Sequence, residues 1–481
     1  MHKLWQHQKA AIERASDRFA LFFDPGCGKS RTAIELYKKS RGSYRTSNVG
    51  GDHGGSKKGK TLIFAPLNVC RNWENELAEY LGAEYRTFLV SGQTKAKKLK
   101  IIQEFRECVE NKHLFLICNI EALRGAEYRK LLECCGAGFV IIDESHNFKT
   151  HSSMQTRGLF DVVAKLRPAH LYLLTGTPAP QGEIDLWSTF TLLGVTNLPF
   201  FVWRRKFFID KNERRRGMRN YWPEYVPSES TKKHFQELLA SCSLTAQKNQ
   251  VLDLPPLLRT NIYAEMSPMQ AKHYETMKQY LFAIDTEGNE LNAANMLSRT
   301  LRLQQILAGF LSEVPIKDNP RLAALADAIE KTNGEQFIIW TIFKSTYKQI
   351  SEMLLRDGID FGLLTGEQSA DERHEYMQRF QAGKLRALIA HPKAGGVGVN
   401  LTAASYSIHY TRSFSLTDDL QAEARNYRGG SEIHQRITRI DIITPDTIDE
   451  EIVKALREKK SVMDFIMGLK EKHNERQQRA A

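Results

Sequence analysis

The sequence predicts an α/β protein of two lobes, each a doubly wound parallel sheet, with helical insertions. Three observations support this class. Short, continuous apolar runs alternate with helical stretches, as is typical of strands buried on both faces of a parallel sheet. The alternation stops over a helical, aromatic and basic stretch at about 184–252 and then resumes. With 481 residues, the chain is also too long for one ordinary core.

The predicted strands form two groups along the chain. Those of the first half are Leu21–Phe23, Thr61–Pro66, Leu114–Cys118, Phe139–Asp143 and Leu171–Thr175. Those of the second half are Phe337–Trp340, Phe361–Thr365, Ala387–Ala390, Tyr406–Tyr410 and Ile437–Ile443. We therefore predict a first lobe over 1–255, which includes the basic insert. A second lobe over 256–460 has a helical insert at about 270–330, and a charged helical tail follows over 461–481.

Composition narrows the class of protein. Hydrophobic residues make up 42% and charged residues 26%, which is typical of a globular chain. The formal net charge of +12 suits a polyanionic partner such as nucleic acid, although a merely basic protein fits it equally well. The seven cysteines form no CxxC pair, so we expect reduced thiols in a cytosolic protein. We expect neither a signal peptide nor a membrane span.

A candidate phosphate-binding loop follows the first predicted strand and opens a helix. Its glycines let backbone N–H groups turn toward phosphates, and the helix N-terminus adds its positive dipole end. Lys29 would reach the β- and γ-phosphates of ATP, and the Ser30 hydroxyl would bind Mg²⁺. One departure is Phe23, which stands where the usual pattern has its first glycine. The residues predicted to contact the nucleotide here are Gly26, Cys27, Gly28, Lys29, Ser30 and Arg31.

Two adjacent carboxylates supply the second half of this site. Asp143 and Glu144 end an apolar strand, and ligands bind at the carboxyl edge of strands in α/β sheets. Asp143 would hold Mg²⁺, directly or through water, and Glu144 would activate the attacking water. A solvated charge pair is the plain alternative in isolation, but it is a poor explanation beside a phosphate loop.

In this order, these residues resemble the superfamily 2 helicases, and the resemblance runs from about Leu4 to Val462. It implies two RecA-like lobes that use ATP and Mg²⁺. Gln8 lies in a segment similar to the motif that reads the adenine edge. Pro66, Asn72 and Trp73 lie in a segment similar to motif Ia, which contacts the nucleic-acid backbone. Thr175, Gly176 and Thr177 match motif III, which couples hydrolysis to lobe movement.

The second half resembles the Swi/Snf-like branch of that superfamily. Gly398, Asn400 and Thr402 fall in a segment close to motif V; the resemblance assigns the glycine to the nucleotide and the other two to nucleic acid. Gln421, Arg425 and Arg428 match the QxxxRxxR spacing of motif VI, which implies two arginine fingers for the nucleotide.

The motif VI region also departs from that branch. The acidic residue that usually precedes the first finger is Ala424 here, and Gly429-Gly430-Ser431 replaces the usual Ile-Gly-Gln. These differences put a close kinship with chromatin remodellers in doubt. No accessory segment of the kind that remodellers carry is evident in the sequence.

The basic insert mixes cations with aromatic residues, a combination that suits a nucleic-acid surface. Arg214, Arg215 and Arg216 form its densest cluster, and Trp203 and Trp222 are its most prominent aromatics. We expect the aromatics to be mostly packed and the arginines to lie near DNA. A solvated helical face is the alternative.

The resemblance implies an ATP-driven translocase on double-stranded DNA that remodels branched DNA or displaces bound proteins. A strand-separating or branch-migrating helicase of recombination and repair would use the same ATPase motifs, so this alternative function stays open. A nucleotide-gated scaffold that does not hydrolyse ATP is a third hypothesis, and an RNA-directed motor fits motif V poorly. A bacterial or virus-infected bacterial cytoplasm is favoured, with a nucleus still possible. The sequence identifies no protein partner.

Overall fold

The computed structural model describes residues 3–44, 59–67, 69–82, 85–91, 94–110, 112–180, 182–216, 223–283, 293–311, 314–316, 318–393 and 400–458. The chain divides into two compact units between Leu252 and Asp253. This point lies three residues before the boundary predicted from the sequence. The tail over 461–481 and Gly398 fall outside the described residues.

The first unit is built on a parallel sheet. Its described strands are β1 (Arg18–Phe23), β2 (Lys60–Ala65), β3 (Tyr85–Val90), β4 (His113–Asn119), β5 (Phe139–Ile142), β6 (His170–Leu174), β7 (Phe208–Asp210), β8 (Tyr225–Pro227) and β9 (Ser243–Ala246). Seven of these pair in the order β3-β4-β2-β5-β6-β1-β9, with every pair parallel. The other two, β7 and β8, form an antiparallel ribbon.

Helices connect these strands, because parallel neighbours require crossover connections. The α-helices described in this unit are α1 (Gln6–Arg14), α2 (Lys29–Tyr44), α3 (Cys70–Leu81), α4 (Lys95–Glu107), α5 (Ala126–Leu132), α6 (Met154–Leu166), α7 (Trp187–Leu192), α8 (Phe200–Phe207), α9 (Glu229–Cys242) and α10 (Lys248–Val251). The start of α6 is fixed by Ser153, whose hydroxyl accepts a hydrogen bond from the Thr156 N–H at 3.1 Å.

The second unit has a parallel sheet of its own. Its described strands are β10 (Leu257–Tyr263), β11 (Phe310–Leu311), β12 (Val314–Pro315), β13 (Phe337–Trp340), β14 (Phe361–Leu364), β15 (Ala387–Ala390), β16 (Tyr406–His409) and β17 (Ile437–Ile443). The sheet order is β10-β17-β16-β13-β15-β14, again parallel throughout, and β11 pairs with β12 as a short antiparallel ribbon. The predicted class of two parallel-sheet α/β lobes is therefore confirmed.

Helices also connect the strands of the second unit. They are α11 (Pro268–Ala283), α12 (Ala293–Leu307), α13 (Pro320–Glu330), α14 (Lys344–Arg356), α15 (Ala370–Gln381), α16 (Leu416–Glu423) and α17 (Ile448–Arg457). Ser369 and Glu372 form a capping box at α15, and Ser415 caps α16 by accepting from the Asp418 N–H at 3.2 Å. Across the described residues, no helix has the length and apolarity needed to cross a membrane.

Besides the four strands of the two short ribbons, the structure adds three strands to the two large parallel sheets. They are β3, β9 and β10, and each lies at the edge of its sheet. The prediction of a helical insert over 184–252 was consequently too simple. This stretch contains the β7–β8 ribbon, and its last strand, β9, pairs with β1 in the main sheet.

Candidate active site

The phosphate loop joins β1 to α2. Gly26 and Gly28 have φ angles of +92° and +74°, in the left-handed region that glycine adopts without steric cost. A side chain at Gly28 would also displace Gln8, because its Cβ would lie 2.4 Å from Gln8 Nε2. The sequence pattern at this loop is therefore required by the backbone that the loop adopts.

Two neighbouring segments hold the loop in place. The Asp24 N–H donates to Ala246 O at 2.9 Å, and the Lys248 N–H donates to Asp24 Oδ2 at 2.9 Å, so β9 and α10 fix the start of the loop. On another side, a Cβ at Gly176 would lie 2.7 Å from Pro25 Cδ. The predicted coupling motif therefore packs directly against the phosphate loop.

Helix α1 brings Gln8 to the same loop. Gln8 is 3% exposed; its Nε2 donates to Gly28 O at 3.2 Å, and its Oε1 accepts from the Trp5 N–H at 2.9 Å. Beside it, His7 Nε2 donates to Cys27 O at 2.8 Å. The amide of Gln8 thus supports the loop backbone, and its contact with adenine stays a prediction.

The cations of the loop lie in different surroundings. Lys29 Nζ donates to the Phe23 carbonyl at 2.9 Å, which holds its charge against the loop. The Arg31 guanidinium stacks 3.8 Å from the Tyr80 ring centre and pairs with Glu35 at 2.7 Å. The Lys29 charge therefore lies against the phosphate loop and its contact with phosphate stays a prediction, whereas the side chain of Arg31 mainly ties α2 to α3.

Asp143 and Glu144 follow β5 at the carboxyl edge of the sheet. Asp143 is 6% exposed; its Oδ1 accepts from the Glu144 N–H at 2.9 Å and its Oδ2 from Trp73 Nε1 at 2.9 Å. Glu144 has a left-handed backbone with a φ of +48°, which is uncommon for a residue with a side chain. The two carboxylates have different partners, because Asp143 accepts from Trp73 whereas Glu144 lies beside His146.

Burial is the main influence on Asp143. Burial, with the neighbouring Glu144 carboxylate next in effect, raises the pKa of this carboxyl to about 6, although the Trp73 hydrogen bond and the charge of Lys29 oppose the rise. Because β5, β6 and β1 are adjacent and parallel, the phosphate loop and the carboxylates follow strands at the same edge of the sheet. Carboxylate and hydroxyl oxygens are the ligands that Mg²⁺ prefers, so Asp143 and Ser30 fit the predicted metal.

The predicted direct DNA contact of Trp73 does not fit its position. This side chain is fully buried in α3, and its indole N–H is directed to Asp143. A buried ring offers no surface to a nucleic acid. The other two residues of the predicted motif Ia, Pro66 and Asn72, are partly exposed, and Asn72 Nδ2 donates to Glu76 Oε1 at 2.8 Å.

His146 connects Glu144 to the coupling motif. Its Nδ1 lies 2.9 Å from Thr175 Oγ1 and 3.2 Å from Glu144 Oε2. The Thr175 hydroxyl also accepts from the Thr177 N–H at 3.1 Å. Sequence reasoning assigned His146 no role, because its partner threonines are distant in the chain.

In the second unit, the segments predicted as motifs V and VI are hydrogen-bonded to each other. The Leu401 N–H donates to Arg425 O at 3.0 Å. Arg425 is buried and Arg428 is partly buried, and both lie in the turns that follow α16. Thr402 is buried beside Gly430, and Asn400 is exposed. The burial of Thr402 leaves little of its side chain available to nucleic acid.

Helix α16, which carries the buried Gln421, is anchored by a cluster of charges. Arg439 on β17 reaches Asp419 Oδ1 at 2.7 Å and Glu423 Oε2 at 2.9 Å on this helix. Its Nε reaches Asp441 Oδ1 at 3.0 Å. The cluster also includes Arg412, which pairs with Asp441, and Arg259, which pairs with Glu423 at 2.7 Å.

The basic insert separates its aromatics from its cations. Trp203 is fully buried, in agreement with the expected packing of the aromatics, whereas Arg214 and Arg216 are exposed. Phe201 and Val202, at the start of α8, are 56% and 40% exposed. The side chain of Arg215 and all of Trp222 lie outside what the structure describes.

Comparison with protein families gives two matches in consecutive parts of the chain. The SNF2-related domain matches residues 12–309, and the helicase conserved C-terminal domain matches residues 320–430. Together they span both units.

Curated relatives match over most of this chain. An uncharacterized ATP-dependent helicase of Mycoplasma pneumoniae is 28% identical over 416 residues, covering 84% of this chain and 37% of the relative. The putative ATP-dependent helicase/translocase YwqA of Bacillus subtilis is 28% identical over 435 residues, covering 86% and 44%. The chain thus spans about two fifths of the length of these relatives.

Among solved structures, one similar fold is that of the Sulfolobus solfataricus SWI2/SNF2 ATPase core in complex with dsDNA, which is 22% identical with a TM-score of 0.42. The match covers 95% of this chain and 91% of that chain.

Proposed function

The chain belongs to the SNF2-related family, whose domain matches more than half of its residues, and from this membership we propose that it is an ATP-hydrolysing motor that translocates along double-stranded DNA. One observation carries the proposal: β5, β6 and β1 are adjacent parallel strands, so the loop that bears Lys29 and the turn that bears Asp143 and Glu144 follow strands at the same carboxyl edge of the sheet. The bacterial relatives support a bacterial cytoplasm as its place of action.

Each residue of this site has a role that suits phosphoryl transfer. Backbone N–H groups around Gly26 and Gly28 cradle the phosphates, and Lys29 neutralises the β- and γ-phosphate oxygens. Glu144 orients the attacking water and accepts its proton. Mg²⁺ bound by Asp143 and Ser30 would supply further neutralisation of the phosphate charge.

Three further groups of residues complete the proposed motor, with roles in catalysis, DNA contact and coupling. Arg425 and Arg428 stabilise the charge that develops on the transferred phosphoryl group, which their planar charged forks suit. The exposed Arg214 and Arg216, with Asn72 and Asn400, supply sequence-independent contacts with DNA phosphates. Thr175–Thr177 transmits the state of the nucleotide site, because it packs against the phosphate loop and is hydrogen-bonded to His146.

The test is the rate of ATP hydrolysis with single-stranded, blunt double-stranded and forked DNA and with RNA. We expect slow hydrolysis by the chain alone and strong stimulation by duplex DNA, because DNA completes the active arrangement. A rate that does not respond to DNA contradicts the proposal.

Substitutions in the first unit test the site itself. Lys29→Ala and Glu144→Gln should each abolish turnover, and Glu144→Gln should still bind ATP because Asp143 is intact. Lys95→Ala is the matched control, since Lys95 forms an exposed pair with Glu127 and its replacement should keep the parent rate. A scaffold that does not hydrolyse ATP would show no turnover in any of the variants or in the parent.

A second candidate function, strand separation, is favoured by the exposed pair Phe201 and Val202. An apolar tip beside the exposed Arg205 and Lys206 has the composition of a wedge that enters a fork. Translocation without a wedge should displace the third strand of a triplex and leave a simple flap paired. Robust unwinding of a partial duplex, abolished by Phe201→Ser, would make the strand-separating helicase the better description.

A further inference from the structure

Trp73 is far from Asp143 in the chain, yet its indole N–H donates to Asp143 Oδ2 at 2.9 Å. Both side chains are buried, with exposures of 0% for the tryptophan and 6% for the aspartate. A hydrogen bond between buried groups is shielded from competing water, so it fixes the orientation of both partners. Trp73 itself is fixed by its place in the interior of α3.

The Asp143 carboxylate accepts hydrogen bonds from two donors in the described part of the chain, one at each oxygen. The Glu144 N–H serves Oδ1 and belongs to the turn itself. Trp73 donates to Oδ2. Of the two donors, it is the one that belongs to a side chain. Rotation of the carboxylate would break both bonds, and each oxygen keeps a second lone pair for another ligand.

The chemistry of the donor matters as much as its position. An indole N–H is only a donor, carries no charge and does not titrate. A lysine or arginine in its place would also hold the carboxylate, but it would neutralise the charge that attracts a cation. Trp73 therefore orients Asp143 and leaves its negative charge available.

We propose that Trp73 is a positioning residue for the Mg²⁺-nucleotide site, which holds the Asp143 carboxylate in the orientation that binds the metal. This inference rests on the proposed function, because it assigns Asp143 to Mg²⁺. Partners that hydrogen-bond to a metal ligand typically change metal affinity 10–100-fold when they are removed. A residue that only packs the core would leave metal affinity unchanged.

The experiment uses the full chain with Glu144→Gln, in which bound ATP is not turned over. Binding of a fluorescent ATP analogue is measured at increasing Mg²⁺ concentrations and separately in EDTA. Adding Trp73→Phe removes the indole donor and keeps an aromatic ring. We expect about a 10–100-fold rise in the Mg²⁺ concentration required, with unchanged binding in EDTA.

Trp203→Phe is the matched control. Trp203 is equally buried, and its Nε1 has no hydrogen-bond partner among the described residues, so this change removes a buried indole without removing a hydrogen bond. It should leave the Mg²⁺ requirement unchanged. Equal Mg²⁺ requirements for Trp73→Phe and Trp203→Phe overturn the inference.

A measurement without any substitution of Trp73 guards against a variant that fails to fold. The indole N–H signal that moves on Asp143→Asn in a ¹⁵N-tryptophan spectrum identifies Trp73. In the parent chain, this signal should shift when nucleotide and Mg²⁺ are added and should not shift when nucleotide and EDTA are added. A signal with the same position in both conditions overturns the inference. If the Glu144→Gln chain with Trp73 intact shows no Mg²⁺-dependent ATP binding, the proposed function fails as well.

Discussion

Replacing Arg439 by methionine is expected to destabilise the second unit by about 3–5 kcal/mol, the usual cost of breaking a buried ion pair. The Arg439 side chain is 5% exposed and makes three ion pairs, with Asp419, Glu423 and Asp441. Methionine fills part of the same volume without charge. The cost therefore comes from carboxylates that stay buried after their partner is removed.

The three carboxylates are not affected equally. Asp441 keeps its pair with Arg412, and Glu423 keeps its pair with Arg259. Asp419 keeps its contact with His409 at 3.9 Å and the more distant charge of Arg412. Asp419 should therefore carry most of the penalty, and adding Asp419→Asn to Arg439→Met should restore part of the stability, by about 0.5–3 kcal/mol.

Hydrogen exchange of the β17 amides, measured by mass spectrometry, reports the free energy of opening in this unit. Lys344→Met is the control, because Lys344 and Glu367 form an exposed pair whose removal should cost less than about 1 kcal/mol. ATP hydrolysis should fall together with protection, because α16 leads into the proposed fingers. Unchanged protection in Arg439→Met, or a further decrease on adding Asp419→Asn, would refute the reasoning.

Three other predictions concern the fingers, the DNA surface and pH. Arg425→Ala and Arg428→Ala should each lower turnover by about 10³–10⁵ and spare DNA affinity in a binding titration; either variant at the parent rate would contradict the assignment. Alanine at Arg214–Arg216 should flatten the log–log salt dependence of duplex binding by about 0.9 for each DNA phosphate that is no longer neutralised, and an unchanged slope would indicate a solvated face. Burial, with Arg439 next in effect, lowers the pKa of His409 to about 3 from its ordinary value of 6.5. The folded state therefore binds fewer protons than the unfolded state between these values, so unfolding free energy should fall as pH drops below 6.5. The urea midpoint should fall less in His409→Asn, and equal falls would rule this cause out.

The strands that sequence reasoning missed share one physical property. Each is an edge strand, with one neighbour instead of two. Few positions of β3 and β10 are buried, whereas central strands such as β2 and β4 are buried almost throughout. A search for continuous apolar runs finds strands covered on both faces, so it misses these edges.

A similar division applies to the site. The phosphate loop and the two carboxylates could be predicted, because their chemistry is encoded in short segments with fixed spacing. The support for these segments could not, since it comes from residues brought in by the fold. The pattern around Trp73 suggested a DNA contact, and only the packing of α3 reveals its hydrogen bond with Asp143.

The contacts around the phosphate loop bear on how the nucleotide could influence the rest of the first unit. Gly176 packs against the loop so closely that an added Cβ would lie 2.7 Å from Pro25 Cδ and 3.2 Å from Phe23 O. Thr175, next to that glycine, is hydrogen-bonded to His146, which also contacts Glu144. The loop that would sense the γ-phosphate and the carboxylate that would activate water are therefore linked through Thr175–Thr177. Thr175 is buried at the centre of these contacts, so they give a continuous path between the loop and the carboxylate, and the coupling of hydrolysis to movement through this path stays a prediction.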